Sequence, residues 1–231
     1  YLPKAKFLLE SLSKYRKNAK NLLFTDFGAG SGYFLYALRQ LGCKNISGYE
    51  ISKNQVYQGN KVDNNLNLNQ FELNNEIKLI NSLNSEVFTM IGVLEHLQNP
   101  RTILKAISRN KNIKYLYISV PLFSISAFFE IVFPKVMQRQ LIGAHTHLYT
   151  KSSLEFMSKH YNFKELSSWW FATDMMDLYR CIYVMLEKNS NAKKAKDNWS
   201  KMFIPMIDKL QLNLDQNYLS DEVHILYKIK H

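Results

Sequence analysis

The sequence predicts an α/β fold, a mostly parallel sheet with helices packed on it, and three observations carry that expectation. Short apolar runs bounded by glycines, such as Leu22, Leu23 and Phe24 or Val87, Phe88, Met90 and Ile91, have the length of strands buried on both faces. Segments between them place apolar residues at helical spacing, among them Tyr33, Phe34, Ala37 and Leu41. The chain also has 231 residues, 46% of them hydrophobic and 13% aromatic, enough to bury the core of one such domain with a helical addition and too apolar for a disordered chain.

In chain order, Tyr1–Asn18 reads as a helix with Pro3 near its first turn and a stripe of Phe7, Leu8, Leu9, Leu12 and Tyr15. The first strand runs from Leu22 and ends at Asp26. Gly28, Gly30 and Gly32 then alternate ahead of the next helix, so three of the eight glycines fall within five residues. A strand, a glycine turn and a helix N-terminus make a site for an anionic group: the ligand can approach backbone that carries no Cβ, and the first N–H groups of the helix are unpaired. A second strand, Asn45–Tyr49, ends at Glu50, about twenty residues on, where a βαβ nucleotide site places the carboxylate that accepts from ribose hydroxyls. The dinucleotide pattern G-x-G-x-x-G is not met, because Tyr33 stands where its third glycine would be.

Ser52 is the expected N-cap of a helix to Val62, and a third strand is placed at Gln70–Leu73 within an asparagine-rich stretch. Val87–Ile91 is the fourth strand, with Gly92 at the carboxyl end where open α/β sheets bind ligands. Pro100 opens a helix to Arg109, and Ile113–Val120 is the fifth strand. Leu122–Leu141 carries Phe123, Phe128, Phe129 and Phe133, which read either as a pocket wall or as a packing face. Gly143, Ala144, His145, Thr146 and His147 follow. After them come a helix from Thr150 or Ser152 to His160, a sixth strand at Asn162–Phe171 and a helix at Asp174–Lys188. A polar linker at Asn189–Asn198, a helix at Trp199–Leu214 and a seventh strand at Val223–Ile229 complete the chain. Asp174, Asp177 and Arg180 are acceptor-site candidates only if they point inward.

Two stretches resemble a known family. Asp26 followed by Gly28, Gly30 and Gly32 resembles motif I of class I S-adenosylmethionine-dependent methyltransferases. Val93, Leu94, Glu95, His96 and Leu97 resemble the V-L-E-H-L signature of the small-molecule group that includes quinone and sugar methyltransferases. The resemblance spans Leu22–Pro121 and implies a Rossmann-like three-layer sandwich whose seven-stranded sheet has an antiparallel last strand and a helical insertion. It implies one domain over 1–231: an N-terminal helix (1–20), a cofactor core (21–121), an acceptor-side insertion (122–150) and a helical insertion (174–215). The implied cofactor is S-adenosyl-L-methionine. Asp26, Gly28, Ala29, Gly30, Ser31 and Gly32 would wrap its methionine end, Glu50 would hold its ribose and Asn74 or Asn75 its adenine amine, with Ile51, Gly92 and Val93 also at the cofactor.

The acceptor chemistry is read from three histidines. His96 is either a base standing over the cofactor's methionine end or a group that orders its loop, while Glu95 anchors structure. His145 and His147 share one face at strand spacing, and one of them facing the acceptor as a base competes with two surface histidines. No metal is expected: the immediate segment has no Asp or Glu, and methyl transfer from a sulfonium needs no metal to activate the donor. The segments with Trp169, Trp170, Asp174 and Arg180, and with Asp221, Glu222, Val223 and His224, resemble methyltransferases found with bacterial surface-polysaccharide synthesis. The expectation is therefore O-methylation of a small polar acceptor, a carbohydrate-type or phosphorylated precursor.

A formal charge of +11 invites a nucleic-acid reading. The lysines are scattered, however, apart from Lys193, Lys194 and Lys196, and no N-P-P-[YF] motif is present, so no specific nucleic acid is expected. The rivals are a tRNA or rRNA methyltransferase and a non-catalytic cofactor-binding module. Cys43 and Cys181 lack metal or redox spacing, and no signal pattern is visible, which points to a cytoplasmic protein. The run Tyr115–Phe133 is interrupted by Pro121 and Glu130, so a transmembrane span is not expected. Its later part, Leu122–Phe133, is left as a lid, a homodimer surface or a shallow membrane contact.

Overall fold

The computed structural model describes residues 1–136, 138–141 and 145–231, with the backbone alone at residue 193. Gly143 and Ala144, read above as the approach to the histidine pair, lie outside the described residues. Seven strands form one sheet: β1 (Phe24–Phe27), β2 (Ile46–Glu50), β3 (Leu68–Gln70), β4 (Val87–Ile91), β5 (Tyr115–Pro121), β6 (Phe163–Phe171) and β7 (Glu222–Ile229). Their order is β3-β2-β1-β4-β5-β7-β6. The first five strands pair in parallel, with Asp26 of β1 opposite Gly48 of β2 on one side and Thr89 of β4 on the other. β7 runs the other way: the N–H of Ile229 donates to Lys114 O at 2.9 Å and that of Lys230 to Asn162 O at 3.1 Å, which sets its end beside the starts of β5 and β6. This is the expected Rossmann-like α/β fold with its antiparallel last strand. Strand order reverses between β1 and β4, and the crevice at their carboxyl ends is where such sheets bind ligands.

Ten helices accompany the sheet among the described residues: α1 (Leu2–Ser13), α2 (Tyr33–Gln40), α3 (Lys53–Val62), α4 (Glu76–Ser82), α5 (Pro100–Arg109), α6 (Ile125–Val132), α7 (Lys151–His160), α8 (Asp174–Glu187), α9 (Lys193–Phe203) and α10 (Ile207–Gln216). The chain divides into two compact units, one of residues 1–120, 152–169 and 224–231, the other of 121–151 and 170–223. In the first, Leu8 and Leu12 of α1 and Phe34 and Leu38 of α2 are buried in one cluster with Phe24, Val87, Tyr117 and Leu226 of the sheet. Each such side chain contributes roughly 1.5–3 kcal/mol by leaving water, so the apolar spacing that predicted the helices is also what fixes them.

The second unit has its own apolar cluster, in which Met175 of α8, Phe203 of α9 and Ile207 of α10 are buried and Trp199 stacks on Phe203 at 4.3 Å between centroids. Beside it lies a polar hub. Asp174, fully buried, accepts from the hydroxyls of Ser124 (2.6 Å) and Ser126 (2.7 Å), from Gln211 Nε2 (3.3 Å) and from the N–H of Asp221 (3.2 Å). Arg139 bridges Asp177 (2.7 Å) and Asp221. The pair Asp174 and Asp177, admitted above as acceptor groups, is thus engaged in ties between segments of this unit.

Beyond shifts of one or two residues, five readings differ from the structure. α1 stops at Ser13 rather than Asn18. The third strand lies at Leu68–Gln70 rather than Gln70–Leu73, because Leu68 is the buried residue and Leu73 is 64% exposed. α4 is absent from the sequence reading, its asparagine-rich approach masking about two turns of helix around buried Ile80. The linker expected at Asn189–Asn198 is helical from Lys193. The helix expected over Trp199–Leu214 breaks into α9 and α10 across a 3-10 turn at Ile204–Met206, because Pro205 has no N–H to give and its ring clashes with the preceding turn.

Candidate functional site

At the carboxyl ends of β1, β2 and β4 the first unit opens a cleft of about 270 Å³, lined by Phe27, Gly28, Glu50, Ile51, Phe71, Leu73, Glu76, Gly92, Val93, His96 and Leu97. Six of these, Gly28, Glu50, Ile51, Gly92, Val93 and His96, are residues the sequence singled out. Backbone geometry explains why glycines are needed. Gly28 sits at φ +73°, and a Cβ there would lie 2.5 Å from Val93 Cγ2, so only glycine lets the turn after β1 close against the turn after β4.

Glu50 ties the glycine turn to the end of β2. Its Oε2 accepts the N–H of Gly30 and its Oε1 the N–H of Ser52, both at 2.9 Å. Each carboxylate oxygen has two acceptor positions, so one on each remains for a ligand hydroxyl. The turn itself is held by the N–H groups of Gly28 and Ala29, which donate to Tyr49 O at 2.8 and 3.1 Å, and by Gly32 N–H to Ala29 O at 2.9 Å. The Ser31 carbonyl packs on α3, where a Cβ on Gly59 would stand 2.6 Å from Ser31 O. Ser52 caps α3 as expected, accepting from Gln55 N.

Asp26 stands behind this turn and does not line the cleft. It is buried, accepts the hydroxyl of Thr89 at 2.6 Å, and burial pushes its carboxyl up to about 7, aided by the charge of Glu50 and opposed by the Thr89 bond. Asn75 does not line the cleft either. It precedes α4, donates to Glu72 Oε2 at 3.4 Å and is exposed, while Asn74 takes φ +72° in the turn. The wall on that side is made by Phe71, Leu73 and Glu76, which the sequence reading missed. The signal was present in Phe71, one residue past the strand, whose ring packs on Phe27 with centroids 5.1 Å apart.

On the β4 side, Leu94–His96 form one 3-10 turn in which Glu95 is buried and His96 reaches the cleft with its side chain 40% exposed. His96 Nε2 lies 3.9 Å from Glu95 Oε1. His145 and His147 belong to the second unit. There His145 Nδ1 lies 3.3 Å from Gln140 O, and His147 Nδ1 lies 2.8 Å from the Thr146 hydroxyl with its ring stacked on Tyr149.

The cleft thus joins apolar walls (Ile51, Phe71, Leu73, Leu97) to a carboxylate and glycine backbone at a switch point, a combination that fits a nucleoside carrying polar groups at both ends. Comparison with known proteins agrees. Residues 4–168, well over half of the chain, match the family model described as a methyltransferase domain. The chain belongs to this family: it is a class I S-adenosylmethionine-dependent methyltransferase. A sequence search of curated proteins returns no match. Solved structures with the same fold include the methyltransferase domain of bacterial CtHen1 (13% identity, TM-score 0.58, covering 99% of this chain and 100% of that one). A SAM-dependent methyltransferase from Archaeoglobus fulgidus is similar at 16% identity and TM-score 0.55, covering 97% and 94%. The [4+2]-cyclase SpnF is similar at 12% identity and TM-score 0.53, covering 96% and 79%. Family membership implies S-adenosylmethionine as the cofactor. No helix among the described residues is long and apolar enough to cross a membrane.

Proposed function

We propose that the chain methylates an oxygen of a small polar acceptor, a carbohydrate-type or phosphorylated precursor of surface polysaccharide, using S-adenosylmethionine held in the cleft at the tips of β1, β2 and β4. The observation that carries this reading is the Glu50 carboxylate, fixed by Gly30 and Ser52 and exposed to the same cleft as Gly28 and Val93. When bound, the cofactor supplies an electrophilic methyl group on a positively charged sulfur. Glu50 would then accept from the ribose hydroxyls, with Ile51, Phe71, Leu73 and Leu97 enclosing the adenine and the Asp26–Gly32 turn the methionine end.

With an already activated donor, the protein's task is to orient the acceptor and take its proton. His96, partly exposed on the cleft, is the group proposed for that proton. Asn75 is kept as a proposal for the adenine amine, and His145 and His147 as further proposals for the proton. The polysaccharide assignment is supported by the resemblance of the Trp169–Arg180 and Asp221–His224 segments noted above.

The test pairs binding with turnover. Wild-type protein is expected to bind S-adenosylhomocysteine in calorimetry and to transfer labelled methyl to at least one member of a panel of sugars, nucleotide sugars and phosphosugars. His96→Ala should keep the affinity and lose turnover. Full activity of single alanine variants at His96, His145 and His147 would discard a histidine base, and transfer to RNA alone would discard the small acceptor.

A further inference from the structure

A second concave site lies in the first unit and shares no residue with the cofactor cleft. It has a volume of about 500 Å³ and lies between α5 and the turn that joins α7 to β6. Its charged lining is of one sign: Arg101 and Lys105 from α5 and Lys230, the residue after β7, with the ring of His160 from the end of α7 beside them. Thr102 and Ser108 of α5 also line it, their hydroxyls donating to the backbone carbonyls of Asn99 at 2.8 Å and Lys105 at 2.9 Å. No carboxylate lines it, and among the described residues none of Arg101, Lys105 and Lys230 has an acidic partner. A helix that carries Arg101 and Lys105 on one side would ordinarily relieve their repulsion with an acid at i±4, and here a lysine from another strand is brought up instead.

The site is also rigid where it needs to be. The Tyr161 hydroxyl donates to Arg101 O at 3.2 Å, and Lys230 N–H donates to Asn162 O at 3.1 Å, which ties all three contributing segments together. The His160 ring is stacked on Phe156 and meets Tyr161 edge-on at 4.7 Å. Cations gathered in one concavity on hydrogen-bonded backbone, with no internal counterion, are the features of a site whose counterion arrives from solution.

We propose that this cleft binds a multiply charged oxyanion, a phosphate or diphosphate group of a small ligand, with Arg101, Lys105 and Lys230 as its charge partners. Three positive charges lining one concavity match a diphosphate better than a single carboxylate, and a cleft of this size holds one such group rather than the track of a polymer.

The 231-residue chain is titrated with inorganic pyrophosphate, inorganic phosphate and acetate in calorimetry, at low and at raised salt. The expected result is one pyrophosphate per chain, bound more tightly than phosphate and much more tightly than acetate, and weakening as salt rises. Arg101→Ala with Lys230→Ala should lower pyrophosphate affinity by on the order of tenfold or more while leaving S-adenosylhomocysteine affinity unchanged. Lys105→Gln, a single change on the exposed side of α5, gives a milder probe should the double variant fold poorly, and is expected to weaken pyrophosphate alone. Absence of saturable pyrophosphate binding, binding that survives both sets of variants, or a polynucleotide that outcompetes pyrophosphate at this cleft would each overturn the assignment.

Discussion

The Glu50 carboxylate accepts the backbone N–H of Gly30 at 2.9 Å, joining two residues twenty positions apart in the chain. One bond therefore sets both the path of the glycine turn and the direction in which the carboxylate faces the cleft. Glu50→Ala is expected to weaken S-adenosylhomocysteine binding by about ten- to a hundredfold, the scale of one or two lost charge-assisted hydrogen bonds. Glu50→Gln keeps one acceptor oxygen and should lose less. Calorimetry on the three proteins decides, and equal affinities would remove Glu50 from ligand binding.

Gly28 and Val93 offer a test of how the two turns meet. Gly28→Ala places a Cβ 2.5 Å from Val93 Cγ2 and also forces an L residue to φ +73°. The backbone cost alone is roughly 1–2 kcal/mol, and the contact adds to it unless the valine moves. In a double-mutant cycle, Gly28→Ala should cost clearly less in a Val93→Ala background than in the wild type, yet still a kilocalorie or so. Denaturant unfolding of the four proteins measures both parts. Strict additivity would show that the two turns do not press on each other.

These two predictions rest on residues that were legible in the sequence, and the reason is physical. Gly28, Gly30 and Glu50 serve backbone needs that few other residues can meet, so their spacing survives as pattern. The cleft wall was less legible. Phe71 and Leu73 follow β3 as a short loop, where an apolar residue reads equally well as more strand, and the third strand was accordingly placed over them. Asp26 was legible as part of a motif but not as a buried group hydrogen-bonded to Thr89, because that contact is made across two strands distant in sequence. The helical part of the second unit was misjudged at Pro205, whose effect on the Trp199–Leu214 pattern outweighs the apolar spacing on either side.

Asp26 predicts a pH signature. Its carboxyl, ordinarily near 3.8, is pushed up to about 7 by burial. The folded chain therefore keeps the proton over a range in which the unfolded chain has lost it. Its contribution is fully present below about pH 4, declines as pH rises toward 7, and is constant above that. The full swing is on the order of 4 kcal/mol. Asp26→Asn cannot titrate, so the stability of the wild type minus that of the variant should fall across this window. Unfolding free energies measured from pH 4 to 8 check it, and parallel curves would show that Asp26 is ionised in the fold at pH 5.

Arg139 is a cation shared by two buried acids of the second unit. It contacts Asp177 and Asp221, which are 4% and 1% exposed, and Asp221 is raised to about 7 by burial and by Asp174 despite the guanidinium beside it. Arg139→Met leaves both carboxylates without that partner. Because the arginine side chain is itself 39% exposed, water can screen part of the loss, and the expected cost at pH 7.5 is about 2–3 kcal/mol rather than the larger figure of a fully buried pair. Removing the cation drives Asp221 further upward, so the variant should recover stability as pH falls from 7.5 to 5.5, where the carboxyl takes up a proton. Adding Asp221→Asn should restore part of the loss at pH 7.5 and flatten that recovery. Thermal unfolding at the two pH values separates these outcomes: a pH-independent loss that Asp221→Asn does not relieve would mean that Arg139 acts by packing and not by charge.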